Sequence, residues 1–206
     1  MGFYLRHSIG FFLQLAPSVY LCLIPFGKGA FQIPKKRIYA GYTAVCALLS
    51  LFFPVFLKSS LFTSLLNVDV RANLYMLLAV ILFVTSLFFC IREATMKKVM
   101  VIFLALIYAL TQYIIVNLIG SFLPRELVTE VYSESYFILF AVSTAIMFPF
   151  CAVTFHRVLG NYIREIDSRN MRKEFNIVTG VSLAYVAVLL VYASGSAQAS
   201  ANTGGL

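Results

Sequence analysis

The sequence has no tryptophan, only eight aspartate and glutamate residues in 206, and four cysteines that form no CxxC pair. It also lacks the residues that membrane chemistry needs where that chemistry would occur. Six apolar runs dominate the chain, and they hold no Asp, Glu, Lys, Arg or His. Proton relays, ion pathways and most coupled transporters keep ionisable groups at mid-membrane, where they are costly and retained for use. The chain therefore does not read as one of these. No phosphate-cradling glycine loop, nucleophile elbow or HExxH motif occurs. His7 and His156 fall at boundaries on opposite sides, so they share neither a metal nor a proton relay. Cys151 and His156 are five residues apart, a spacing that puts them on different helical faces and argues against a membrane peptidase pair. Cys22, Cys46, Cys90 and Cys151 lie in or beside apolar runs and read as small buried hydrophobes, neither a disulfide framework nor a zinc site. No catalytic, cofactor-binding or metal-binding residue is assigned from sequence, and no cofactor is expected.

What is present is hydrocarbon. The chain is 61% hydrophobic and 12% charged, about half the charge of a soluble domain. Such a sequence cannot cover a surface with polar groups in water. It reads as an all-α polytopic membrane protein, a single six-transmembrane-helix bundle over residues 1–192 with a small-residue tail over 193–206 expected to be disordered. The runs are Ser8–Phe26, Ile38–Leu57, Ala72–Ile91, Val99–Phe122, Tyr136–Phe155 and Phe175–Tyr192, each near the 20 residues of one crossing. The start of the chain has no small-x-small cleavage site and reads as a retained first helix.

The connecting segments alternate in basicity. Lys28, Lys35, Lys36 and Arg37 lie between the first two runs, and Arg92, Lys97 and Lys98 between the third and fourth. Arg157, Arg164, Arg169, Arg172 and Lys173 follow the fifth, so these segments hold twelve of the sixteen cations. The other side holds Arg6, Lys58, Arg71 and Arg125. By cation count the first group is cytoplasmic and both termini face outward, in a multi-pass protein of the cell membrane. The net charge of +8 is a membrane signature here, with the lipid bilayer as partner and no nucleic acid.

Within this frame Pro149 is expected to kink the fifth helix. Leu159, Tyr162, Ile163 and Ile166 recur at helical spacing, so that helix is expected to continue past the membrane along an amphipathic face. Gln14, Gln112 and Asn117 are the main polar groups inside the runs and read as interhelical hydrogen-bonding residues, each worth about 1 kcal/mol. Small residues four apart (Ala40/Ala44, Ala105/Ala109, Ala141/Ala145, Gly180/Ala184) would let helices approach closely. The outer segments Lys58–Arg71 and Leu123–Ser135, the latter with Glu126, Glu130 and Glu134, are the recognition surfaces on offer.

Several short stretches carry a resemblance. The first helix ends in Ile24-Pro25-Phe26. A basic hairpin comes next, Phe31-Gln32-Ile33-Pro34-Lys35-Lys36-Arg37, and the second helix opens on Ala40-Gly41. Later come Phe155-His156-Arg157-Val158-Leu159 and Ile163-Arg164-Glu165-Ile166-Asp167. Together they resemble the N-terminal membrane regions of Firmicute sensor histidine kinases of the GHKL ATPase class, which includes the Agr-type quorum-sensing receptors. The resemblance implies a sensory input domain of a two-component system, an extracellular small-peptide ligand and a homodimer. It also implies a kinase region, with phospho-acceptor histidine and ATP-binding motifs, that this chain does not contain. Any enzyme activity would then belong to that region. The alternative is a small integral-membrane transport or substrate-binding subunit. A vitamin retained through purification would mark the transport subunit.

Overall fold

A computed structural model describes residues 2–59, 68–122 and 134–165, together with Asn176, Ile177, Gly180, Val181 and Ala184. Apart from one isolated bridge pair, the described residues form helices and their connections. Helix α1 spans Phe3–Leu23, α2 Lys35–Lys58, α3 Val68–Cys90, α4 Thr95–Ser121 and α5 Glu134–Thr154. A π-helical turn over Phe155–Leu159 joins α5 to the short α6, Gly160–Glu165.

Among the described residues, four helices are long and apolar enough to cross a membrane: Lys35–Lys58, Val70–Cys90, Thr95–Gly120 and Tyr136–Glu165. This is fewer than the six crossings expected from sequence. The first run does form a 21-residue helix, α1, but it falls outside the set of four. The reason is its composition: Arg6, His7, Gln14 and Pro17 make it less apolar than the other four, and its packing shows where such residues are accommodated. Phe11, Leu15, Ala16, Val19, Leu21 and Leu23 are all buried, and α1 packs against α2, α4 and α5. A helix surrounded by protein can carry Arg6, His7, Gln14 and Pro17, because its neighbours and not lipid meet them. The sixth run lies mostly outside the described residues; its five described positions are helical and exposed. The segments 60–67 and 123–133, which hold most of the two expected recognition surfaces, and the tail 193–206 also lie outside them.

The helices begin earlier than the apolar runs. Their first turns carry Tyr4–Arg6, Lys35–Arg37 and Lys97–Lys98, which hydropathy does not register. Those cations have a structural role. Lys35 Nζ donates 2.8 Å to the carbonyl of Phe26, just past α1, and Lys98 Nζ donates 2.8 Å to that of Phe88 in the last turn of α3. Arg71 Nη1 donates to the carbonyl of Leu57 at the end of α2. In the second and third hairpins a cation from the incoming helix meets a carbonyl left open in the last turn of the outgoing one, and in the first it meets a carbonyl just beyond that turn. These carbonyls have no intrahelical donor and form the negative end of the helix dipole.

The first and third connections are tied together. Gln32 N–H donates to the Cys90 carbonyl at 3.2 Å and Arg92 N–H to the Ala30 carbonyl at 2.7 Å, across the Phe31–Ile91 bridge. Lys28, Lys35, Lys36, Arg37, Arg92, Lys97 and Lys98 therefore sit at one end of the bundle. Arg6, Lys58 and Arg71 sit at the other, where the Lys58 ammonium lies 4.3 Å from the Phe3 ring centre. The grouping inferred from cation count is thus the spatial grouping of the described cations.

Of the polar residues inside the runs, Gln112 acts as expected. It is almost fully buried, and its Nε2 donates to Thr144 Oγ1, linking α4 to α5. Thr144 Oγ1 in turn donates 2.8 Å to the Phe140 carbonyl. Replacing Thr144 by valine keeps the shape and strands the Gln112 amide. An SDS unfolding titration should then show a loss of about 1 kcal/mol, with Gln112→Leu/Thr144→Val recovering part of it. Strictly additive losses would mean that the bond contributes nothing. Asn117, by contrast, is exposed, and among the described residues it makes no such link. Ala40 and Ala44 also face outward, so this small-residue pair brings no helices together within the described bundle, while Ala105 is buried.

Candidate functional site

The basic end holds a concavity of 430 Å³ lined by Ile24, Lys35, Tyr39, Ala152, Val153, His156 and Arg157. Three separate parts of the chain build it. The end of α1 supplies Ile24, and the first turns of α2 supply Lys35 and Tyr39. The end of α5 and the π turn supply the rest.

The geometry on the α2 side is fixed by aromatic contacts. The Lys35 ammonium, besides its bond to Phe26, lies 5.4 Å from the Phe31 ring centre and 5.7 Å from that of Tyr39. Tyr39 stacks on Tyr20 of α1 at 5.7 Å, and the Tyr20 hydroxyl is 2.6 Å from Thr43 Oγ1. The α1–α2 wall is therefore cross-linked by rings and hydroxyls as well as by close packing. An ammonium has three N–H donors, and one is used by Phe26, so two remain for the pocket or for water.

The opposite wall depends on the π turn. Gly160 N–H bonds to the Phe155 carbonyl, the five-residue spacing of a π turn. The extra residue in the turn rotates α6 relative to an unbroken α-helix, and such bulges recur at functional sites. Here it places Phe155 and Ile163 in the core and leaves His156 and Arg157 at the pocket. Gly160 then lies directly on the end of α1: a Cβ built on it would be 3.3 Å from the Pro25 carbonyl oxygen and 3.7 Å from Pro25 Cα. The amphipathic continuation of α5 expected from sequence is thus present through Glu165. Ile163 is buried, Leu159 and Tyr162 are half-buried, and Ile166 lies outside the described residues. Pro149 sits within α5 on an exposed side, and the departure from α geometry comes six residues after it.

The pocket's charge is one-sided. Lys35, His156 and Arg157 line it, and among the described residues no acidic side chain does. Glu93 at this end is engaged with Lys97 at 3.4 Å. The chemistry this lining offers is the binding of an anion. The four cysteines are free, and among the described residues no group of His, Cys, Asp and Glu could hold a metal ion.

A second cleft, 590 Å³, opens between α2 and α3 beside Arg37, with Tyr42, Val45, Leu82, Phe83 and Ser86 among its walls. The Tyr42 hydroxyl is 2.9 Å from Ser86 Oγ and closes its floor.

Sequence reasoning named none of these as site residues. Lys35 and His156 are 121 positions apart, and His156-Arg157 read only as a boundary pair. Comparison with family models, with curated proteins and with solved structures gives no match. The class defined by the fold is that of a helical protein that has, among the described residues, four helices long and apolar enough to cross a membrane.

Proposed function

We propose that the chain is the membrane-embedded sensory region of a two-component histidine kinase. It would be a bundle of six crossings with its basic end in the cytoplasm and both termini outside. The reading rests on the resemblance in the hairpin and post-α5 stretches, and one structural observation supports it. The fifth helix leaves the apolar zone through a π turn pressed against the end of α1. A turn that can hold either π or α hydrogen bonding is an element with two discrete arrangements, the kind of device on which switching depends. A ligand at the far end that favours one arrangement would change the direction of the segment after Gly160. A ligand with equal affinity for both would change nothing.

The test is phosphotransfer. The natural polypeptide carrying this segment, immunopurified from its own membranes through the Glu93–Lys98 loop, should incorporate acid-labile phosphate from labelled ATP. It should do so on its own chain. Absence of acid-labile phosphate from that chain would rule out the kinase reading. A tightly retained small molecule recovered in its place would favour a substrate-binding subunit.

A further inference from the structure

We propose that the pocket between the end of α1, the first turns of α2 and the π turn is a binding site for the phosphate of an acidic phospholipid headgroup. Such a site needs only that the helices lie in a membrane, and is independent of the signalling reading.

The pocket has the polarity of an amphiphile. Ile24, Ala152 and Val153 form the wall towards the apolar helices, and Lys35, His156 and Arg157 form the rim. The rim lies where the apolar stretch of α2 gives way to Lys35–Arg37, the level at which headgroups meet helix ends. Basic pockets between helices at this depth suit anionic headgroups. Guanidinium and ammonium groups donate charge-assisted bonds to phosphate oxygens, and Arg can do so through two N–H groups at once. Lys35 keeps two of its three N–H donors beyond the one given to Phe26. The α2 N-terminus adds to the same field: Pro34 caps it without a side-chain bond, and its first turn holds no acid.

A simple solvated basic face is the competing account, and the geometry argues against it. The three basic side chains converge on a concave volume from two chain segments more than a hundred residues apart. Lys36, next to Lys35, takes no part in lining that volume, and Lys35 is half-buried where Lys36 is exposed. Lys35 and Arg157 bring two positive charges to one concave volume, an arrangement that an anion placed between them stabilises.

The experiment uses the full chain in dodecyl maltoside micelles. It is titrated with dioleoyl phosphatidylglycerol, with dioleoyl phosphatidylcholine, or with inorganic phosphate, and retained lipid is counted by native mass spectrometry. One phosphatidylglycerol should be retained in preference to phosphatidylcholine. Lys35→Gln/Arg157→Gln should weaken its retention roughly 25-fold, at about fivefold per cation lost. Lys36→Gln should leave it within about twofold. Val153→Phe fills the pocket from an exposed position without altering charge, and should also release the lipid. It carries the test if the double variant fails to fold.

Three results would overturn the assignment. Equal retention of both lipids would exclude recognition of an anionic headgroup. Losses in Lys36→Gln equal to those in the double variant would show diffuse attraction and no site. Displacement of the lipid by inorganic phosphate at the same concentration would show a site for the free anion and not for a headgroup.

Discussion

Truncating Phe53 to alanine is expected to destabilise the bundle by about 3 kcal/mol, read as a shift in an SDS unfolding titration monitored by far-ultraviolet circular dichroism. Phe53 is 1% exposed. Its ring stacks on Phe11 of α1 with centroids 4.5 Å apart, and both rings meet Tyr75 of α3, at 5.4 and 5.3 Å. Tyr75 is tied back to α2 through its hydroxyl, which donates 2.8 Å to the Leu49 carbonyl. Three helices therefore depend on one ring. The figure is taken at the low end of the range for soluble cores. Lipid is as apolar as the interior, so the loss comes from dispersion contacts and the cavity more than from transfer out of water. Phe52 provides the control. It is the adjacent residue, 61% exposed on the lipid side of α2, and Phe52→Ala should cost about 0.5 kcal/mol or less. Equal losses for the two would mean that α2 is rotated from the position described.

The second large effect is at Gly160. Gly160→Leu should cost about 2–3 kcal/mol, because its side chain must displace the backbone of Pro25, which has no rotamer to yield. The cause is steric alone. Gly160 has φ −66°, an ordinary helical value, so any residue could adopt its conformation. Gly160→Ala separates the contributions: alanine gains about 1 kcal/mol in helix propensity and loses from the 3.3 Å contact. A small net change for alanine with a large loss for leucine would support the close approach of α5 and α1. Tolerance of leucine would show that the π turn does not rest on Pro25. The same substitution pushes the pocket's two walls apart, so lipid retention should fall in parallel with stability.

Whether a feature was legible in the sequence depends on which contacts create it. The helices were legible, because twenty apolar residues in a row permit little else in lipid. The sides on which the cations gather were also legible, since each short hairpin keeps its basic residues together. The helix starts were not, because Lys35–Arg37 and Lys97–Lys98 look polar to any hydropathy window yet extend α2 and α4 by a turn. The orientation of each helix about its axis was not legible either. Phe52 and Phe53 are identical in type, and both faces of α2 are apolar, so nothing marks which one packs inward. Gln112 was found because a lone amide in hydrocarbon needs a partner; that the partner is Thr144 required the fold. The pocket was hidden for the same reason as the π turn. Both depend on α5 lying against α1, a contact between segments more than 120 positions apart.

The orientation of the basic end is the claim on which the proposed sensory reading depends, and cysteine labelling tests it directly. Cys22, Cys46, Cys90 and Cys151 are first replaced by alanine. Single cysteines are then placed at Gly29, in the basic hairpin, and at Gly2, beside the start of α1. Both positions are exposed, with open space for a side chain. In intact cells an impermeant maleimide should label Gly2→Cys and leave Gly29→Cys unlabelled until the membrane is permeabilised. Labelling of Gly29→Cys in intact cells, with Gly2→Cys protected, would turn the bundle over and place the basic pocket outside.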